Sequence, residues 1–191
     1  MQAGKSVGFT MIEVLVAVLV LALGVVGGSA MQLSALRTRH QSALLSNALQ
    51  LGAGMAERMR ANAVLMRQPD AENPYLNLRY DVLAEGAPAA PAQWCFAAQS
   101  CSGAQLAAAD IYELKRQIRL ALPGGRLVIC RDARRWNAAR EGASWDCDGA
   151  AGAPVVIKLG WRGKHPDGRP LQRDAGREAP AVALVLAGTA P

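Results

Sequence analysis

Between Phe9 and Leu36 the chain carries a single ionisable side chain, Glu13, and the stretch Val14 to Ala30 reads VLVAVLVLALGVVGGSA. An apolar run of this length crosses the hydrocarbon core of a bilayer as one helix. It divides the chain into a short polar leader, MQAGKSVG, an apolar segment, and a remainder long enough to bury one core of about 120 to 150 residues. With 51% hydrophobic and 19% charged residues, disorder and collagen-like structure are excluded, and the remaining length is too short for two full catalytic domains.

Three readings of the N-terminus compete. A secretory signal would use the small residues Gly28-Ser29-Ala30 as its cleavage site, but the apolar run is long for a signal and contains an acid. An ionised carboxylate at membrane depth costs about 2.5 kcal/mol or more, which a discarded segment has no reason to carry. A plain anchor tolerates Glu13 by snorkelling or protonation. The third reading rests on the whole string Gly8-Phe9-Thr10-Met11-Ile12-Glu13-Val14-Leu15, which resembles the processing and assembly motif of type IV pilins and type II secretion pseudopilins. That resemblance implies cleavage between Gly8 and Phe9 by a prepilin peptidase and N-methylation of Phe9. It also implies an assembly role for Glu13, as the fifth mature residue. Such a cut leaves the helix attached and creates a cationic amine at Phe9. A neighbouring subunit's Phe9 amine is then a candidate partner for Glu13, and a register error would leave both charges unpaired in an apolar bundle. Gly4-Lys5-Ser6 lacks the upstream glycine and strand of a phosphate loop. Lys5 precedes the span, but Arg37 and Arg39 follow it, so orientation rests on the leader motif.

Beyond the span, Leu44, Ala48, Leu51, Met55 and Met59 recur every three to four residues, which predicts an amphipathic continuation to about Met66, before Pro69. Gly24, Gly27, Gly28, Gly52 and Gly54 are expected to weaken this spine locally. Residues 67 to 93, with Pro69, Pro74, Pro88 and Pro91, read as a connecting loop. Ser102 followed by Gln105 marks a capping box for a second helix, Ala104 to Leu122, stopped by Pro123-Gly124-Gly125, with Leu106, Ile111, Leu114, Ile118 and Leu122 on its apolar side. Strands are expected in 126–131, 154–162 and 180–187, the last two alternating Val155, Ile157, Leu159, Trp161 and Val182, Leu184, Leu186. The fold class is α+β: leader 1–8, transmembrane half-helix 9–30, amphipathic half-helix 31–66, and a head, 67–191, built on a small antiparallel sheet.

Cys95, Cys101, Cys130 and Cys147 are an even set without a CxxC pair, which argues against a thioredoxin-like or zinc-ribbon site. Of three possible pairings, Cys95 with Cys101 and Cys130 with Cys147 is favoured because each closes a local loop, and two bridges suit a periplasmic head. The segments around Trp94 to Leu106, Leu122 to Cys130 and Val155 to Arg162 are similar to the PilV group of minor pilins. That resemblance implies a subunit that primes assembly at the filament tip and supports piliation, twitching motility or adhesion. It implies as partners other minor pilins, the major pilin, the prepilin peptidase and the assembly platform of the inner membrane, which the chain would span once with its C-terminal domain in the periplasm. The apolar segment departs from major pilins in lacking a proline, for which Gly24 is a possible substitute.

A minor pseudopilin of a type II secretion system is the alternative. A nucleic-acid-binding reading draws on residues 126 to 177, where eleven basic side chains, among them Arg131, Arg134, Arg135 and Arg140, meet six acidic ones with Trp136 and Trp161 interleaved. A solvated basic surface is the simpler account, and no nucleic acid is expected as a partner. His165 lies in a turn and His40 on the spine. Asp146 and Asp148 around Cys147 lack the further ligands of a calcium loop. No catalytic residue, metal or cofactor is assigned.

Overall fold

The computed structural model describes residues 8, 10–95, 100–134, 136–138, 142–163, 173–174 and 177–186. Helix α1, Met11–Ala61, begins after an extended Thr10 and runs unbroken for 51 residues, roughly 75 Å at 1.5 Å per residue. Gly24, Gly27 and Gly28 sit inside it without interrupting it. The spine ends earlier than the expected Met66. At Asn62 the backbone leaves the helical region (φ −91°, ψ 50°), and only the short turn α2, Ala63–Met66, follows. The reason is chemical: the buried Asn62 amide donates from Nδ2 to the Gly103 carbonyl at 2.8 Å, and such side-chain bonding to backbone competes with the helix ladder.

Four strands form the main sheet: β1, Leu78–Asp81; β2, Arg126–Arg131; β5, Val155–Gly160; and β8, Val182–Val185. They lie in the order β1-β2-β5-β8, every pair antiparallel. Strand β1 corrects the expectation of a plain loop over 67–93. Its four residues were too few to stand out among prolines, and it is held because its alternate side chains match the β2 register. The short turn α3, Val82–Glu85, follows it, capped by Asp81. Between β2 and β5 lies a small hairpin, β3, Trp136–Asn137, with β4, Gly142–Ala143; another, β6, Arg173–Asp174, with β7, Arg177–Glu178, precedes β8.

The register aligns apolar side chains in two rows across the sheet: Leu78, Ile129, Ile157, Leu184 and Tyr80, Leu127, Leu159, Val182. The second half of α1 and helix α4, Gly103–Ala121, pack on this face with Leu44, Ala48, Met55, Met59, Leu114 and Ile118. Helix α4 starts at the Ser102–Gln105 capping box. Its inward stripe contains Ala107, Asp110, Leu114 and Ile118; Leu106, expected on the apolar side, is exposed, because one position of rotation puts Ala107 against the core instead. Gly52 is a seat rather than a weak point: a Cβ there would overlap Leu184 Cδ1, so its absence lets the helix approach the sheet.

All six residues of β5 are buried, so its second face is covered too. Asp132, Trp145 and Cys147 of the β2–β5 connection lie against that face. Trp145 lies over Gly160, where a Cβ would come within 2.8 Å of Cζ2, and the Arg126 guanidinium stacks 4.4 Å from the Trp145 ring. Lys158 is fully enclosed there, its Nζ donating to Asp132 Oδ2 and to the Asp146 carbonyl, each at 2.6 Å. The Cys130–Cys147 disulfide ties the same connection to β2, and Cys95–Cys101 closes a loop before α4. The longer loop contributes about 3 kcal/mol on the chain-entropy account.

Lys158→Met leaves Asp132 buried without its cation and is expected to lower unfolding free energy by about 3–5 kcal/mol in urea titrations of the protein in micelles, whereas combining it with Asp132→Leu restores most of that loss. An unchanged midpoint for the single variant would show that the pair does not hold this face.

Candidate assembly surface on the long helix

Helix α1 has two unlike halves. From Met11 to Arg39 every side chain is exposed, including Ile12, Val16, Leu19, Leu23 and Val26, and burial begins at Leu44 where the sheet and α4 meet the helix. The 18-residue window that meets the length and composition of a membrane span has none of its residues buried by the rest of the chain. A contiguous apolar surface of this extent is stable only against lipid or other apolar helices. Two hydroxyls within and just beyond it are satisfied by the helix itself: Ser29 Oγ donates to the Val25 carbonyl at 2.8 Å and Thr38 Oγ1 to that of Ser34 at 3.1 Å.

Glu13 occupies the first turn of this half, its N–H donating to the Thr10 carbonyl at 3.1 Å, and its side chain is exposed. An anion there is favoured by the helix dipole. No cation pairs with it among the described residues. Gly8 is exposed, with no neighbouring atom within 4 Å of the position a Cβ would take. Phe9 lies outside the described residues. Gly8 and Glu13 therefore stand at one open end of the helix.

At the other end a polar cluster fixes the helix to the head. Arg58 Nη1 donates to Asp110 Oδ1 at 3.0 Å, and the Tyr75 hydroxyl donates to Asp110 Oδ2 at 2.7 Å. Asn62 reaches the Tyr75 oxygen at 3.4 Å, and Asn73 accepts from the Tyr75 N–H while donating to the Leu65 carbonyl. Burial, reinforced by the hydrogen bond to Asp110 and its charge, pushes the Tyr75 phenol well above its ordinary value against opposing effects of Asn62 and Arg58, so it remains a donor. None of these residues was singled out from sequence. Asp110 had a signal, being an acid between Ala107 and Leu114 on the inward stripe of an amphipathic helix.

The basic stretch does not form one surface. Arg131 is largely covered, donating to Asp70 Oδ2 at 2.6 Å and to the Ala153 carbonyl, so it is engaged in structure. Arg134 is exposed and lies 3.6 Å from Asp148. Asp148 accepts from the backbone N–H groups of Ala133 and Ala150; the Ala133 bond chiefly, with the Ala150 bond and the charge of Arg134, holds its carboxyl below the usual range, outweighing partial burial. Arg135, Arg140 and His165 lie outside the described residues. Trp161 is a core residue and Trp136 a surface one.

Residues 30–112 match the family described as Tt1218-like, type IV pilin Tt1218. The match runs from within α1 into α4 and includes Arg58, Asn62, Tyr75 and Asp110. No curated protein and no solved structure matches the chain. The family match supports a place in the type IV pilin superfamily, and a long apolar N-terminal helix on a small antiparallel sheet is the architecture of a pilin. It supports a pilin subunit in general, compatible with membrane anchoring and with association with pilus components.

Two outcomes test the docking cluster. Tyr75→Phe removes a donor from a buried carboxylate and is expected to cost about 1–3 kcal/mol by thermal or urea unfolding. Because the folded phenol titrates above the unfolded one, its stabilising contribution is complete below about pH 10 and declines as pH rises beyond that. Stability of the unmodified protein should therefore fall on the alkaline side, and Tyr75→Phe should flatten that fall.

Proposed function

We propose that the chain is a minor pilin of a type IV pilus, a PilV-like subunit that primes assembly at the filament tip and supports piliation, twitching motility or adhesion. The observation that carries this reading is the fully uncovered apolar half of α1 with Glu13 in its first turn, five residues beyond an accessible Gly8. Residues 1–8 form the leader, and prepilin peptidase cuts between Gly8 and Phe9 and N-methylates Phe9. The segment 9–30 anchors the chain in the inner membrane, and 31–66 is the amphipathic continuation that leads into a periplasmic head, 67–191, and carries its seat from Leu44 onward. The partners are other minor pilins, the major pilin and the assembly platform.

The role of Glu13 follows from charge pairing. In an apolar bundle its carboxylate is costly unless a cation meets it, and the Phe9 amine of an adjacent subunit supplies one at a single axial stagger. The pair converts sliding of apolar helices past one another into a fixed register.

Mass spectrometry of the protein from membranes is expected to find an N-methylated Phe9 terminus when the peptidase is present and an uncut leader when it is absent; a terminus at Met31 would mean a secreted domain and end the pilus reading. Glu13→Ala is expected to leave insertion and cleavage intact yet reduce the amount recovered in sheared filaments by roughly tenfold or more, with Glu13→Asp retaining part. Loss of secretion with normal piliation in a deletion strain would instead identify a pseudopilin.

A further inference from the structure

On the sheet face opposite α1, a recess of about 370 Å³ opens beside the β3–β4 hairpin, lined by Arg134, Trp136, Asn137, Ser144, Asp146 and Asp148 among others. That volume lies in the range of small-ligand sites. Trp136 is 65% exposed on a two-residue strand, although an indole of this size gains by burial. The floor beneath it is fixed three ways: by the Cys130–Cys147 disulfide, by Lys158 bonded to Asp132 and the Asp146 carbonyl, and by Asp148 accepting from Ala133 and Ala150. A rigid floor carrying an exposed aromatic plane is preorganised for binding, because little ordering remains to be done when a ligand arrives.

The polar lining indicates what kind of ligand fits. Among the described lining residues Asp132 is neutralised by Lys158 and Arg134 faces Asp148, so the formal charge left over there is that of Asp146, which favours a neutral ligand over an anion at that floor. Donors and acceptors are mixed: a guanidinium, an amide, a hydroxyl and a carboxylate. A pyranose ring has an apolar C–H face suited to an indole plane and a rim of hydroxyls that both donate and accept. We propose that this recess binds a neutral saccharide, the sugar face stacked on Trp136 and its hydroxyls meeting Asn137, Ser144 and Asp146. The proposal stands whether or not the chain joins a filament.

The full chain, in micelles of a detergent without sugar head groups, is titrated with the methyl glycosides of glucose, galactose, mannose and N-acetylglucosamine while the indole N–H resonances are followed, Trp136→Phe identifying the signal. A glycoside should shift the Trp136 resonance saturably and leave those of Trp145 and Trp161 in place. Trp136→Ala should weaken binding by roughly tenfold or more, Trp136→Phe by less, and Asp146→Asn several-fold, with unchanged circular dichroism. The proposal is overturned if no glycoside moves the Trp136 signal, if affinity survives Trp136→Ala, or if the signal answers instead to choline, to a DNA oligonucleotide or only to a rise in the concentration of the chain itself.

Discussion

The first half of α1 has no partner in its own chain. Met11 to Arg39 are exposed along the whole circumference of the helix, and no rearrangement of a head of this size could cover them and keep its own core. Every other part of the structure is arranged around that fact. The head takes only the second half of the helix, seats it on a sheet whose apolar rows are in register, and leaves the remainder projecting for lipid or for neighbouring helices to solvate.

A projecting rod of this length puts leverage on its seat, and the polar cluster at Arg58, Asn62, Tyr75 and Asp110 holds the end of the helix farthest from the projecting half. Apolar packing alone permits sliding and rotation, since one Leu or Met contact resembles the next. A buried carboxylate with two directional donors does not, because displacement by one residue leaves it unpaired. The hydrophobic contacts give the seat its strength and the cluster gives it an address.

Much of this was legible in the sequence, for reasons visible residue by residue. The apolar run, the Ser102–Gln105 box and the alternation of Val155, Ile157 and Leu159 are local signals, and the helices and central strands that they predict are present. Strand β1 and the end of α1 at Asn62 were hidden because their causes are remote: β1 exists through its register with β2, and Asn62 leaves the helix for a carbonyl forty-one residues away. The same holds for Lys158. On an alternating strand it reads as an outward, solvated residue, and only the folding back of the connection around Asp132 and Asp146 encloses it. At the N-terminal end the reading of Gly8 to Glu13 rests on sequence alone, and the pairing proposed for it belongs to an assembly that one chain does not contain.

Gly52 links the two levels through time as well as space. The notch it leaves in α1 is occupied by Leu184 of β8, which follows α1 by more than a hundred residues of chain. The helix is therefore synthesised long before the strand that locks it down, and its inward face must wait, half covered by α4 and the earlier strands, until that strand arrives beside β5. The Gly52 notch is thus filled only once β8 has docked beside β5, which makes the last contact of the helix with its sheet a late one in the order of the chain.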